Sequence, residues 1–224
     1  MDILGNINSF VKDRGPGNRY ASFDYCYNYF RQFYVSNNVK GIASRKYIQV
    51  SCLQLAFYLA SWGMLRGSSF LLQKSAKHYE DLIMAISALD VKYWEIDADK
   101  YNDDNIKLLI KLYELIKNNL GDNDDEAASA TLVTKIMLGV FANVPALDQY
   151  FCSGFGCSQY FSPGLLKRIG DFYVANQSAI DKHEIKTIDF TTGGETSFVY
   201  TKAKLIDMVG FMEGYEKSNR TGSK

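Results

Sequence analysis

The chain is poor in residues that break or staple a fold, with 3 prolines, 4 cysteines and 2 histidines in 224 residues. So few prolines leave room for long uninterrupted helices. Four cysteines do not make a disulfide scaffold, and a chain of this length needs none, because it can remove roughly 70% of its extended surface from water. Charge of one sign is lacking too, since 25 Lys plus Arg balance 25 Asp plus Glu. No global field therefore draws the protein to nucleic acid or to an anionic membrane, and such a partner has to be met by a local patch. Disorder is excluded for most of the chain, because 14% aromatic residues supply apolar area to offset chain entropy.

Several chemical signatures are also missing. The sequence contains no Gly-x-x-x-x-Gly-Lys phosphate loop, no Gly-x-Gly-x-x-Gly fingerprint and no nucleophile elbow with a Ser-His-Asp order. His78, in Lys74–Glu80, and His183, in a charged connection, read as structural rather than catalytic. Cys152 and Cys157 share a glycine-bearing segment, but no second pair has ligand spacing, so they read as thiols, and neither a metal nor a cofactor is expected. The acidic run from Asp122 to Glu126 lacks the glycine and closing glutamate of a calcium loop and reads as a solvated cap. No basic-apolar leader opens the sequence, so a cytoplasmic location is expected. The longest uncharged stretch, Tyr47 to Leu65, is interrupted by Gln49, Ser51, Gln54 and Ser61, which favours a buried core helix over a membrane span.

Apolar residues recur at three- and four-residue intervals, which predicts a mainly α fold, a single-domain orthogonal bundle of about eight helices. Helices are expected over about 22–34, 45–65, 68–89, 102–118, 126–141, 145–151, 162–175 and 200–213. The second is apolar nearly all round and is expected at the centre. Residues 186–192 alternate and read as a minor strand without an obvious partner. One domain over 1–216 and a flexible polar tail over 217–224 complete the expected organisation.

Charged groups inside apolar segments are the informative feature, because a buried charge must be paired or used. Arg66, Lys135, Asp148 and Asp207 occupy such places. In Arg66-Gly67-Ser68-Ser69 the sequence offers a planar cation, a glycine for close approach and hydroxyls at an expected helix start, which together suit an anion. The structural alternative has a serine capping its own helix and Arg66 paired with Asp148 or Asp207. Lys135 and Asp148 lie on consecutive predicted helices joined at Asn143-Val144-Pro145, so a tight turn brings them face to face as a nucleophile–base pair or as a buried salt bridge. Trp62 and Tyr150 flank these segments as candidate ligand-binding rings, with core packing as the alternative for Trp62.

The blocks Leu59–Leu72, Thr134–Gly139 with Pro145–Asp148, and Lys204–Met208 resemble a family of bacterial hypothetical proteins, a resemblance that carries no activity with it. The chain also resembles helix-hairpin-helix DNA glycosylases, in which a lysine on one helix and an aspartate after the next turn flank the scissile sugar. That resemblance implies these roles for Lys135 and Asp148. It departs from the pattern before the lysine, where the glycine-rich hairpin is replaced by Asp124-Asp125-Glu126-Ala127-Ala128-Ser129, an acidic stretch that repels phosphate.

Two readings follow. In the first, Arg66, Gly67, Ser68, Ser69, Trp62, Tyr150 and Asp207 form a pocket for a phosphate-bearing small molecule or a nucleic-acid base, with Lys135 and Asp148 as catalytic residues, and glycosylase-like hydrolysis is the sharpest form of it. In the second, the chain is a non-catalytic module whose charges set helix register and whose exposed aromatic face, for example Tyr25, Tyr29 and Phe33, meets a protein partner or a second copy. No membrane partner is expected.

Overall fold

The structure is a computed structural model that describes residues 1–67, 69–120 and 128–222. It is mainly α-helical, with nine α-helices and one small two-stranded sheet among the described residues. Ser68 and the acidic run of Asp122–Glu126 lie outside them. Among the described residues no helix is long and apolar enough to cross a membrane.

Helix α1 (Ile3–Lys12) has no counterpart among the predicted elements. Asp2 caps it by accepting from Gly5 N, and Ile3, Ile7 and Phe10 form its buried face. Helix α2 (Ala21–Val35) agrees with the predicted span to within one residue, but its expected exposed face does not form. Phe33 is buried, and Tyr29 turns its hydroxyl to Ser51.

The predicted 45–65 helix is shorter, α3 (Ile48–Ser61), and it is not the centre of the fold. Val50, Leu53 and Phe57, at helical spacing, leave one face open, Phe57 being 69% exposed. The element enclosed on all sides is α6 (Ala130–Phe141), buried at every position from Leu132 to Phe141 and packed against α2, α3 and α5 (Asp103–Asn118). Gly139 on α6 admits the Tyr58 ring of α3, for a Cβ there would lie 2.4 Å from it.

The predicted 68–89 helix breaks into 3-10 turns at Phe70–Gln73 and Ala76–Tyr79 followed by α4 (Glu80–Ser87), because the backbone at Lys74 and Ser75 is extended. The expected helix start over Arg66–Ser69 is therefore no α-helix N-terminus. Helix α6 begins at Ala130, capped by Ser129, instead of at about 126.

Helix α7 (Gln149–Phe155) begins four residues beyond Pro145, where Asp148 accepts from Tyr150 N and Phe151 N. The cap, not the proline, chose the start. Helix α8 (Pro163–Ile180) starts at the predicted Ser162-Pro163 and continues past Ala175 through a kink at Asn176. The predicted strand finds its partner: β1 (Lys186–Ile188) pairs antiparallel with β2 (Glu195–Val199) and docks on α2 through Ile188 N to Asp24 Oδ2 at 3.0 Å. Helix α9 (Lys202–Gly222) runs well beyond the predicted end at 213 and takes up most of the expected tail.

The closest helix contact joins α7 to α9. A Cβ on Gly154 would fall 2.0 Å from the Gly210 carbonyl oxygen, and one on Gly214 would fall 1.9 Å from the carbonyl oxygen of Tyr150. Both obstacles are backbone, so no rotamer change relieves them. We expect Gly154→Ala to destabilise the protein by about 3 kcal/mol or more, at or above the upper end of ordinary overpacking. Urea denaturation reads this, and a loss below 1 kcal/mol would show that the helices slide apart freely.

Burial also sets an alkaline limit. It pushes the Tyr27 and Tyr79 hydroxyls up to about 12 and raises Tyr58 and Tyr200 well above the ordinary tyrosine value. Tyrosine in the unfolded chain ionises near ~10, so the stability tied to these groups is present in full below that pH. It is lost as the pH rises through the folded values. In a spectrophotometric titration, part of the 16 tyrosines should ionise near pH ~10 and the rest only with unfolding near ~12. A single smooth transition near ~10 for all of them would contradict this burial.

Candidate functional site

Two lysine–carboxylate pairs lie where α6, α7 and α9 meet. Lys135 projects from the buried α6, its side chain 4% exposed, and its Nζ stands 2.8 Å from Asp148 Oδ2. Asp148 is fixed by its role as the α7 cap: Oδ1 takes the Tyr150 and Phe151 N–H groups, leaving Oδ2 to the lysine. One turn into α9, Lys204 Nζ stands 2.8 Å from Asp207 Oδ2, while Asp207 Oδ1 accepts from Ala146 N at 3.0 Å. Both carboxylates offered to Arg66 by the structural alternative are thus taken by lysines.

The environments of the two pairs differ. The Lys204 ammonium is clasped between the Phe10 and Phe23 rings, 4.5 Å from each centroid, in the interior. A void of about 10 Å³ separates the pairs and touches Lys135, Asp148, Lys204 and Asp207, close to the least that a single water occupies. Lys135 and Asp148 alone of the four also face an open cleft of about 500 Å³.

That cleft has aromatic walls. Trp62, at the end of α3, lies with its ring 5.0 Å from Lys135 Nζ and stacks on Tyr20 at 5.6 Å, which stacks on Phe10 at 4.5 Å. Phe211 of α9 meets the Trp62 ring edge-on at 5.7 Å and the Tyr150 ring at 5.4 Å, and Tyr215 flanks Tyr150. The Trp62 Nε1–H is buried without a hydrogen-bond partner, as are Trp94 Nε1 and Asn143 Oδ1 away from the cleft, each at a cost of about 1–3 kcal/mol. Two guanidinium groups stand at the cleft. Arg19 lies 5.2 Å from the Trp62 ring, and the exposed Arg66 folds back over Gly63, where a Cβ would come within 3.0 Å of its Nε.

Of the residues singled out in the sequence, the cleft gathers Trp62, Arg66, Lys135, Asp148 and Tyr150. Asp207 lies behind it, on the small void. Gly67 and Ser69 do not line it; Gly67 adopts a positive φ of 60°, and Ser69 accepts from Leu71 N to cap a four-residue 3-10 turn. Arg19, Phe211 and Tyr215 at the cleft, and Lys204 on the small void behind it, are the residues sequence reasoning missed. For Lys204 the signal was present, a lysine three residues before Asp207 in an apolar helix. For Arg19, in a Gly/Pro-rich lead, no pattern pointed inward.

The two pairs should respond differently to loss of the cation. Lys204→Met strands Asp207 in the interior and is expected to cost about 3–5 kcal/mol. Lys135→Gln leaves Asp148 with two backbone donors and contact with the cleft, and the cost should be about 1–3 kcal/mol. Denaturant midpoints in parallel measure the order, and a larger loss at Lys135 would make that pair the structural one.

Against this geometry, no family model matches the chain, and no curated protein or solved structure shows significant similarity to it.

Proposed function

We propose that the cleft binds a phosphate-bearing ligand, a nucleotide or a base held out from a nucleic acid, and that Lys135 and Asp148 act on its glycosidic bond. The observation that carries this reading is the 2.8 Å Lys135–Asp148 contact at a cleft whose other walls are Trp62, Tyr150 and Phe211 and whose cations are Arg19 and Arg66. Its volume of about 500 Å³ falls within the usual span of roughly 300–1,000 Å³ for small-molecule sites. Flat rings receive a base by stacking irrespective of its identity, and guanidinium groups receive phosphate. With zero net charge, affinity rests on these two arginines rather than on a long-range field.

In the proposed chemistry Asp148 takes a proton from the Lys135 ammonium, and the freed amine attacks the anomeric carbon. The bond from that carbon to the base nitrogen breaks, and the base leaves with the bonding pair and recovers the proton. The lysine-bound sugar rearranges to an imine that water hydrolyses, returning Lys135 and completing a net hydrolysis. A lysine buried beside a carboxylate and against an indole face suits this role, because it is held in one place and shielded from competing water.

Thermal denaturation with nucleotides, single-stranded oligonucleotides and inorganic phosphate tests the binding. At a ligand concentration of about a hundred times Kd the native state gains about 2.7 kcal/mol, a rise of roughly 5–10 °C for a chain of this size. The rise should vanish in Arg66→Ala, which remains folded because Arg66 is exposed. Borohydride reduction in the presence of an oligonucleotide carrying a damaged or missing base should trap the chain covalently, and Lys135→Gln should abolish the trap. A shift without a trap would retain binding and discard the chemistry. No shift from any of the ligands would leave the non-catalytic module, with both ion pairs serving helix register.

A further inference from the structure

We infer that Cys157 and Cys152 form an oxidisable dithiol, with Cys157 the thiol that reacts first with a hydroperoxide and Cys152 the one that resolves it. The pair closes the C-terminal turn of α7, with Cys152 one helical turn beyond Asp148, and the proposal does not depend on the function assigned to the cleft.

Backbone geometry brings the two residues together. Helix α7 ends at Gly156 in the left-handed region, φ 69° and ψ 46°, and the N–H groups of both Gly156 and Cys157 turn back to the carbonyl oxygen of Cys152, the latter at 2.9 Å. This helix-ending turn habitually packs the side chain after the glycine onto the one five residues earlier. Here both are cysteines. Covalent bond lengths and the 2.9 Å hydrogen bond hold the two Cα atoms within about 7 Å, the outer limit for bridging by a disulfide. The turn is braced by Arg168 of α8, whose Nη2 donates to the carbonyl oxygens of Phe155 at 2.6 Å and Gly156 at 3.0 Å.

The two sulfurs stand in unequal surroundings. Cys152 is buried, whereas Cys157 is half-buried and lines an open pocket of about 420 Å³ together with Ser158, Tyr160, Ser162 and Arg168. The neighbouring Cys152 side chain lowers Cys157 below the ordinary thiol value, and the Arg168 charge acts in the same direction. The same contact, with burial, raises Cys152. A half-buried thiol held below its ordinary value beside a buried partner is the arrangement from which peroxide-sensitive pairs react. Cys26 and Cys52, by contrast, are buried and lie in other helices.

The steps balance with a hydroperoxide as oxidant. The Cys157 thiolate attacks the outer peroxide oxygen, the O–O bond breaks and hydroxide (or alkoxide) leaves, giving a sulfenic acid. The Cys152 sulfur then attacks the Cys157 sulfur, an S–S bond forms, and water departs with the Cys152 proton. Overall two thiols lose two electrons and two protons to the peroxide.

The test uses the intact chain. With limiting iodoacetamide, peptide mass spectrometry should show Cys157 alkylated roughly tenfold or more ahead of each other cysteine. With hydrogen peroxide the protein should lose the mass of two hydrogen atoms, and the bridge should map to Cys152–Cys157. Cys152→Ser should stop at a sulfenic acid that dimedone captures, and Cys157→Ser should show neither product. Alkylation of Cys157 no faster than of Cys52, oxidation to sulfinic acid without a bridge in the wild-type chain, or a bridge to another cysteine would each overturn the inference.

Discussion

The approach of α7 to α9 over bare backbone governs where the cleft residues stand. Gly154 meets the Gly210 carbonyl and Gly214 meets that of Tyr150, so each helix supplies the space the other fills. Because of this contact the segment leading into α7 reaches α9, where Ala146 N donates to Asp207, and Phe211 stands against Tyr150. Asp148 is delivered to Lys135 as a consequence. A separation of even an ångström between these helices would move the carboxylate relative to an ammonium fixed in a different helix, and reactive geometry does not tolerate displacements of that size.

The two lysine–aspartate pairs divide two kinds of work that buried charge can do. Lys204 and Asp207 are closed off, clasped by Phe10 and Phe23 and tied to the Ala146 backbone, so each charge is satisfied within the protein. Such a pair adds little net stability over a well-packed apolar substitute but penalises any arrangement in which one partner is lost. Lys135 and Asp148 have the same chemistry with one side turned to a cleft. A ligand there encounters an amine and a carboxylate already aligned, because the α7 cap holds one and the packing of α6 holds the other.

What the sequence made legible follows from where local rules suffice. The amphipathic period of α5 and the Ser-Pro start of α8 are local signals, and both elements begin where those signals place them. The Lys135–Asp148 juxtaposition also came from a local inference, although the turn that achieves it extends to Asp148 and does not start a helix at Pro145. Tertiary context decided the rest. The uncharged run at 47–65 looks like a centre, but composition cannot tell one open side from none, and Phe57 lies on the open one. The Arg66–Ser69 segment carries the residue types of an anion site, yet the extended backbone at Lys74 and Ser75 removes the helix it would have opened. Arg19 joins the cleft from a lead segment distant in sequence, which no spacing rule reaches.

Helix α7 is only seven residues long, too short to persist by its own hydrogen bonds. Its position therefore comes from its ends and from its glycine face. The N-terminal end is fixed by Asp148, which answers to Lys135. The C-terminal end is fixed by the turn at Gly156, which answers to Arg168. Between them Gly154 locks the helix to α9. Three attachments to three different helices leave α7 no direction in which to shift as a unit. A change of bonding between Cys152 and Cys157 acts inside one turn that is already closed by hydrogen bonds and that contains the lock at Gly154, while Cys152 N donates to the Asp148 carbonyl oxygen at 2.9 Å. The same short helix therefore carries the proposed thiol pair within one turn of a candidate catalytic carboxylate, and the Gly154 lock holds the position of both.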